Sequence, residues 1–220
     1  MALTKEEFYA LRARSYPIDD PEALIRYQRV LRWMTLSPTI TVRELGCKYA
    51  VLRDILKEKL PRFDYQGVDI DEATLRKIPD YNDHDFIVHN INNGFPFKDK
   101  SIDYLVCLEI LEHLDNGTFF FSEAKRCLKD DGKLILSVPN PYCWMEANLN
   151  FREGDDTEGH IATYTQQNIK ALTKFCGMHL YASQGSFTRI PFSRRLMGKF
   201  LLVETDNLFL SRNRIFLIVN

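Results

Sequence analysis

A doubly wound α/β fold around a mostly parallel sheet is what this sequence predicts, and three observations predict it. From Thr39 onward, strand-like and helix-like segments alternate, the pattern of right-handed βαβ units. The first unit is sharply punctuated. A strand ends at Glu44-Leu45-Gly46-Cys47, a helix follows, and the next strand, Tyr65 to Ile70, carries Asp69 at its tip. That acid lies about 20 residues beyond the turn glycine, the spacing at which a nucleotide ribose is gripped. Third, Leu134-Ile135-Leu136 is apolar without alternation, as in a strand covered on both faces.

Two helices come first. Thr4 and Glu7 form a capping box ahead of Phe8 and Leu11. Asp20 before Pro21 is a second start signal, an N-cap followed by a residue that needs no amide hydrogen. Leu24, Tyr27, Leu31 and Met34 then recur at helical spacing until Pro38. These helices can pack on the sheet edge or lie over the site as a lid. Strands are expected at Thr39–Leu45, Tyr65–Ile70, Asp85–His89, Ile102–Leu108 and Lys133–Val138. Helices are expected at Tyr49–Leu60, Glu72–Lys77 and Thr118–Lys129, the last closed by the turn Asp130-Asp131-Gly132. Residues 142–164 form an irregular polar connection. A helix then runs from Thr165 to a stop at Gly177. A strand from His179 to Phe187, a connection from Thr188 to Ser211 and a final strand Arg214–Val219 complete the chain.

The bulk properties bound the function. The chain has 220 residues and a net charge of -1, so no overall basic field invites nucleic acid. The start is not a signal peptide, and no run reaches the length of a membrane span. The five cysteines, Cys47, Cys107, Cys127, Cys143 and Cys176, are scattered and form no Cys-x-x-Cys pair. They read as reduced, mostly buried thiols of a cytoplasmic protein, and no metal site is expected.

The turn narrows the ligand. Gly46 lets a ligand approach the backbone closely. A dinucleotide cradle needs two further glycines to hold a pyrophosphate at the helix N-terminus. Lys48 and Ala50 or Val51 stand there instead, which disfavours a nucleotide-dependent oxidoreductase. S-adenosylmethionine has no phosphate and tolerates such a turn. In order, the chain holds Glu44-Leu45-Gly46-Cys47, Gly67-Val68-Asp69-Ile70-Asp71, Pro96 to Asp103 and Glu109-Ile110-Leu111-Glu112-His113-Leu114. Leu128 to Asn140 and His160 to Thr165 follow. Across roughly residues 39–187 this series resembles the class I S-adenosylmethionine-dependent methyltransferases.

The resemblance implies a Rossmann-like, seven-stranded sheet whose last strand is antiparallel, with the ligand at the carboxyl ends of the strands. It implies that Asp69 accepts hydrogen bonds from both ribose hydroxyls and that Ile70 packs on adenine. Asn90 and Ile91 stand where the family has an acid and an apolar residue beside the adenine. Glu44 and Gly46 line the methionine end; Cys47 and Lys48 join the cofactor-binding set, Lys48 either as an exposed turn residue or as a contact to the cofactor carboxylate. Leu108 and Glu109 border cofactor and acceptor. The cofactor is then S-adenosylmethionine and the product S-adenosylhomocysteine. Arg43, in a central strand, requires a partner, for which an acid on the N-terminal helices is the expectation.

No fixed catalytic residue transfers with the resemblance. His113 and His160 are weak candidates for a general base, and a structural hydrogen bond is the simpler role for His113. Tyr142, Trp144 and Met145 can line an acceptor pocket or a lid. Residues 1–38 are read as a helical cap, 39–187 as the cofactor-binding core and 188–220 as a C-terminal connection and strand. The expected activity is methyl transfer to a small or medium-sized organic acceptor. The alternative is a non-catalytic nucleoside- or partner-binding protein that keeps the fold. Apolar residues at 199–210 leave room for a homodimer.

Overall fold

The computed structural model describes residues 4, 5, 7, 8, 20–144 and 158–220. Its main sheet is assembled from β1 (Thr41–Leu45), β2 (Asp64–Asp69), β3 (Phe86–Val88), β4 (Ile102–Leu108), β5 (Leu128–Pro139), β6 (His179–Gly185) and β9 (Asn213–Val219). The spatial order is β3-β2-β1-β4-β5-β9-β6. Neighbours pair in parallel from β3 to β5, and β9 runs antiparallel to both β5 and β6. The order reverses between β1 and β4, and that reversal opens a crevice at their carboxyl ends.

Side-chain alternation divides the sheet between two cores. Val42, Val106, Ile135 and Leu217 face one apolar layer. Leu45, Leu105, Leu134, Leu136 and Phe216 face the other. The first layer is covered by α1 (Pro21–Leu31) and α2 (Val51–Lys59) through Tyr27, Val30, Leu52 and Leu56. The second is covered by α4 (Gly117–Cys127) and α5 (Gln166–Phe175) through Phe120, Phe121, Ala124 and Ile169. Between β2 and β3 lies the single turn α3 (Glu72–Leu75), and a 3-10 turn at Ile91–Asn93 follows β3. Beyond β6, β7 (Phe187–Arg189) and β8 (Leu202–Glu204) form a separate hairpin around α6 (Ser193–Met197). This excursion exposes Phe192, Leu196 and Met197.

The helix starts follow local chemistry. Asp20 caps α1 by accepting from the Glu22 amide at 2.9 Å. Asp71, not Asp69, caps α3, accepting from Ala73 and Thr74. Thr4 and Glu7 make both bonds of their capping box. All five cysteines are free, and Cys176 is the least buried of them.

Three expectations are corrected. β5 begins at Leu128 rather than Lys133, because the chain is already extended there. Asp130-Asp131-Gly132 therefore sits in an irregular stretch of strand, where the register with β4 shifts between Ile102 and Tyr104. Strand β6 stops at Gly185, where a Cβ would press on the Ser211 hydroxyl at 2.7 Å. Arg43 finds its acid on β2, not on the N-terminal helices: Asp64 takes it in two bonds of 2.9 and 3.1 Å. The register explains this. Arg43 lies opposite Gln66, so Asp64 is its diagonal neighbour on the same face.

Candidate functional site

A cavity of about 290 Å³ opens at the carboxyl ends of β1, β2 and β4. Its floor is the turn after β1. Gly46 has φ +71, and a Cβ there would overlap the Ile110 side chain. Lys48 (φ 46) and Ala50 (φ 57) also take the left-handed conformation. The turn thus keeps the backbone path that glycines would adopt, with side chains carried on it. Glu109, at the tip of β4, is a fourth left-handed residue near this turn, with φ 57.

Asp69 stands at the tip of β2 and lines the cavity. Its two oxygens each hold one backbone amide, Lys48 at 2.8 Å and Asp71 at 3.0 Å. These bonds tie the β1 turn to the β2 turn across the crevice. A carboxylate offers about four lone-pair sites, so two remain for a ligand. Burial raises its pKa, and the amide bonds work against that rise.

The structure gathers most of the predicted site residues on this cavity. Gly46, Cys47, Lys48, Asp69, Ile70, Asn90, Ile91, Leu108 and Glu109 all line it, as does His113. Asn90 is also the N-cap of the 3-10 turn, its carbonyl oxygen accepting from the Asn92 amide at 3.1 Å. Glu109 accepts from the Ser137 hydroxyl and the Asn213 amide group. Those two bonds come from β5 and β9 and fix the end of β4.

Glu44 and His160 are not among the lining residues. Glu44 is 1% exposed. Its side chain points to the α1 face, away from Arg43, because adjacent strand residues face opposite layers. The hydroxyls of Tyr27 and Tyr65 each donate to one of its oxygens. Burial lifts its pKa to about 7, although both tyrosine bonds pull downward. His160 instead lies beside His113, with ring centroids 4.9 Å apart. Tyr142 and Trp144 are largely exposed and also lie off the cavity, while Met145 lies outside the described residues.

Sequence reasoning missed the near wall. Asp20, Ala23, Arg26 and Tyr27 of the α1 segment line the cavity, and Lys5 joins them. Arg26 stands 3.8 Å from Asp20. The capping signal located this helix, but periodicity alone made Tyr27 look like core.

A mostly parallel sheet with a cavity at its switch point, floored by a glycine turn and flanked by a strand-tip acid, defines the doubly wound ligand-binding class. Comparison with known proteins narrows it. A family model described as a methyltransferase domain matches residues 19–180. The chain is 30% identical over 133 residues to a probable S-adenosylmethionine-dependent methyltransferase of Mycolicibacterium smegmatis. That match covers 60% of this chain and 48% of the relative, so the chain spans about half that protein's length. Among solved structures, a Thermotoga maritima methyltransferase, described as a possible histamine N-methyltransferase, superposes with TM-score 0.71. It shares 14% identity, covering 97% of this chain and 96% of that one. A chain from the complex of the Haloferax volcanii Trm112 methyltransferase activator with its methyltransferase gives 0.67 at 14% identity. That match covers 100% of this chain and 99% of the other. At these identities the likeness is one of fold. The chain belongs to the class I S-adenosylmethionine-dependent methyltransferase family.

Proposed function

We propose that this chain transfers the methyl group of S-adenosylmethionine to a small or medium-sized organic acceptor. The observation that carries the reading is Asp69: a half-buried acid on the cavity wall, pre-set by two backbone amides, with accepting capacity left on both oxygens. A vicinal diol matches that pattern, so the residues fit an adenosine ribose. Ile70 and Ile91 offer apolar surface for the base. Gly46 gives backbone access at the other end, and Leu108 and Glu109 border the acceptor.

When bound, the cofactor supplies an electrophilic methyl group on a sulfonium. The chain's own part is to hold, orient and dehydrate. Asp69 anchors one end of the cavity. Tyr27, tied to Glu44, holds α1 over the opening and excludes water. Among the described residues the lining mixes apolar groups with charges of both signs, and the chain's net charge is -1, which supports a small acceptor over a nucleic acid.

Calorimetry with S-adenosylmethionine, S-adenosylhomocysteine and NAD tests the reading. The first two should bind and NAD should not. Asp69→Ala should weaken both by roughly tenfold to a hundredfold, the value of one or two hydrogen bonds to a charged group. No binding of either sulfur nucleoside to folded protein would overturn the proposal. The left-handed Lys48 and Ala50 favour one second reading, a retained fold that binds without transfer. Binding without methylation of a broad acceptor panel would select it.

A further inference from the structure

Beside the cavity, Glu112, His113 and His160 bring one ligand atom each within 4.8 Å of one another. We propose that this cluster binds a divalent first-row transition-metal ion through two imidazoles and one carboxylate.

Glu112 carries the argument. It is 1% exposed, and among the described residues neither carboxylate oxygen has a hydrogen-bond partner on another residue. An acid desolvated to that degree and left unpaired is costly, and it calls for a cation or a proton. Two nearby acids are satisfied by protein donors: buried Glu44 by two tyrosines and half-buried Asp69 by two amides. Glu112 stands apart with its oxygens turned to two histidines.

The surroundings hold the histidines as metal sites hold theirs. His113 Nδ1 lies 3.0 Å from the Gly159 carbonyl oxygen. That bond requires a proton on Nδ1 and fixes the ring; a carbonyl oxygen on one imidazole nitrogen is the outer-shell arrangement that orients ligating imidazoles. The Glu112 carbonyl oxygen accepts from the Ile161 and Ala162 amides at 2.9 and 3.2 Å. His160 is thereby stapled against the 3-10 turn (Leu111–His113) that bears the other two residues.

The spacing suits an ion. Three ligand atoms each about 2.1 Å from one metal stand roughly 3.4–3.6 Å apart, so a pair at the 4.8 Å limit closes by about 1.2–1.4 Å, within reach of side-chain adjustment. Two imidazoles disfavour magnesium and calcium, which take oxygen ligands, and favour manganese, iron, cobalt or zinc. His113 belongs to the cavity wall as well. An ion held here therefore borders the cavity, where a hydroxyl or carboxylate oxygen of a bound molecule can complete its coordination.

The test is direct metal binding and does not depend on methyl transfer. Chelator-treated protein is titrated with Co²⁺, following visible absorbance and calorimetry, with Mg²⁺ as the control. One Co²⁺ per chain should bind, with d–d bands and a raised Tm, and Mg²⁺ should not compete. Glu112→Gln and His160→Asn should each weaken Co²⁺ binding at least roughly tenfold. His179→Asn, at an exposed histidine on β6, should leave it unchanged. Circular dichroism checks that each variant is folded, and His160→Asn alone decides if Glu112→Gln is not. Absence of stoichiometric binding, or binding that survives the cluster substitutions, would overturn the proposal and leave Glu112 as a protonated acid.

Discussion

Glu44 makes the stability of this fold depend on pH in a direction opposite to that of most acids. Its pKa rises from an ordinary 4.5 to about 7 on burial. Below about pH 4.5 the carboxyl is protonated in both folded and unfolded chains, and the burial of charge costs nothing. Between 4.5 and 7 the unfolded chain releases its proton while the folded chain keeps it, so stability falls as pH rises. Above 7 both are ionised and the loss is complete. At about 1.4 kcal/mol per tenfold change in proton affinity, the loss reaches about 3 kcal/mol. Glu44→Gln removes the titration yet preserves the network, because the amide can accept from one tyrosine and donate to the other. Urea unfolding of both proteins at pH 4.5 and pH 8 reads the effect. The stability of the Gln variant relative to wild type should improve by about 3 kcal/mol between the two. A difference that stays constant across this window would refute the reasoning.

Tyr27→Phe should cost about 1.5–3 kcal/mol at pH 8, where it removes a hydrogen bond to an ionised acid, and less at pH 4.5; the same unfolding curves measure it. Gly46→Ala should lower Tm, since the residue has φ +71 and its Cβ would overlap Ile110. Adding Ile110→Ala should recover part of that loss, and a double-mutant cycle without coupling would show the overlap to be irrelevant. Gly67→Ala should destabilise by roughly 1–3 kcal/mol, because its Cβ would lie 2.6 Å from Cys47 Sγ and 2.8 Å from the Tyr65 hydroxyl.

The parallel core was legible because its punctuation is local. Gly46, Asp69 and the caps at Asp20 and Asp71 each act within a few residues, so their positions in the sequence already mark the ends of elements. Pairings made across the sheet were less legible. Arg43 and Asp64 meet only once register is set, and Glu44 turns to two tyrosines because of which layer its strand position faces. Tyr27 looked like core at helical spacing, and it is indeed 8% exposed, yet its hydroxyl end meets the site. His113 and His160 stood out in the sequence only as candidate bases, and nothing there placed them together with Glu112. Two members of that cluster are adjacent in sequence, and the third arrives by a long connection that no short-range spacing encodes.

Four buried or half-buried acids at the strand tips show how environment assigns different tasks to one functional group. Glu109 is spent on structure, its oxygens bonded to Ser137 and Asn213 on neighbouring strands. Glu44 sits between two phenols that can donate or accept, so it can keep a proton near neutral pH and bind the covering helix to the sheet. Asp69 has two amides fixed in place and capacity to spare, a setting that suits neutral hydroxyl donors better than a cation. Among the described residues no other group donates to the Glu112 carboxylate, and its pKa is pushed well up by burial and by the nearby Glu109 charge, with its own backbone amide working against that rise. A ligand that neutralises it must bring either a proton or positive charge. The cavity thus lies between two chemically distinct acids: Asp69 on its wall at β2, and Glu112 behind His113 beyond β4. A molecule in the cavity meets Asp69 directly and the second acid only through His113, the one member of the Glu112, His113 and His160 cluster that lines the wall.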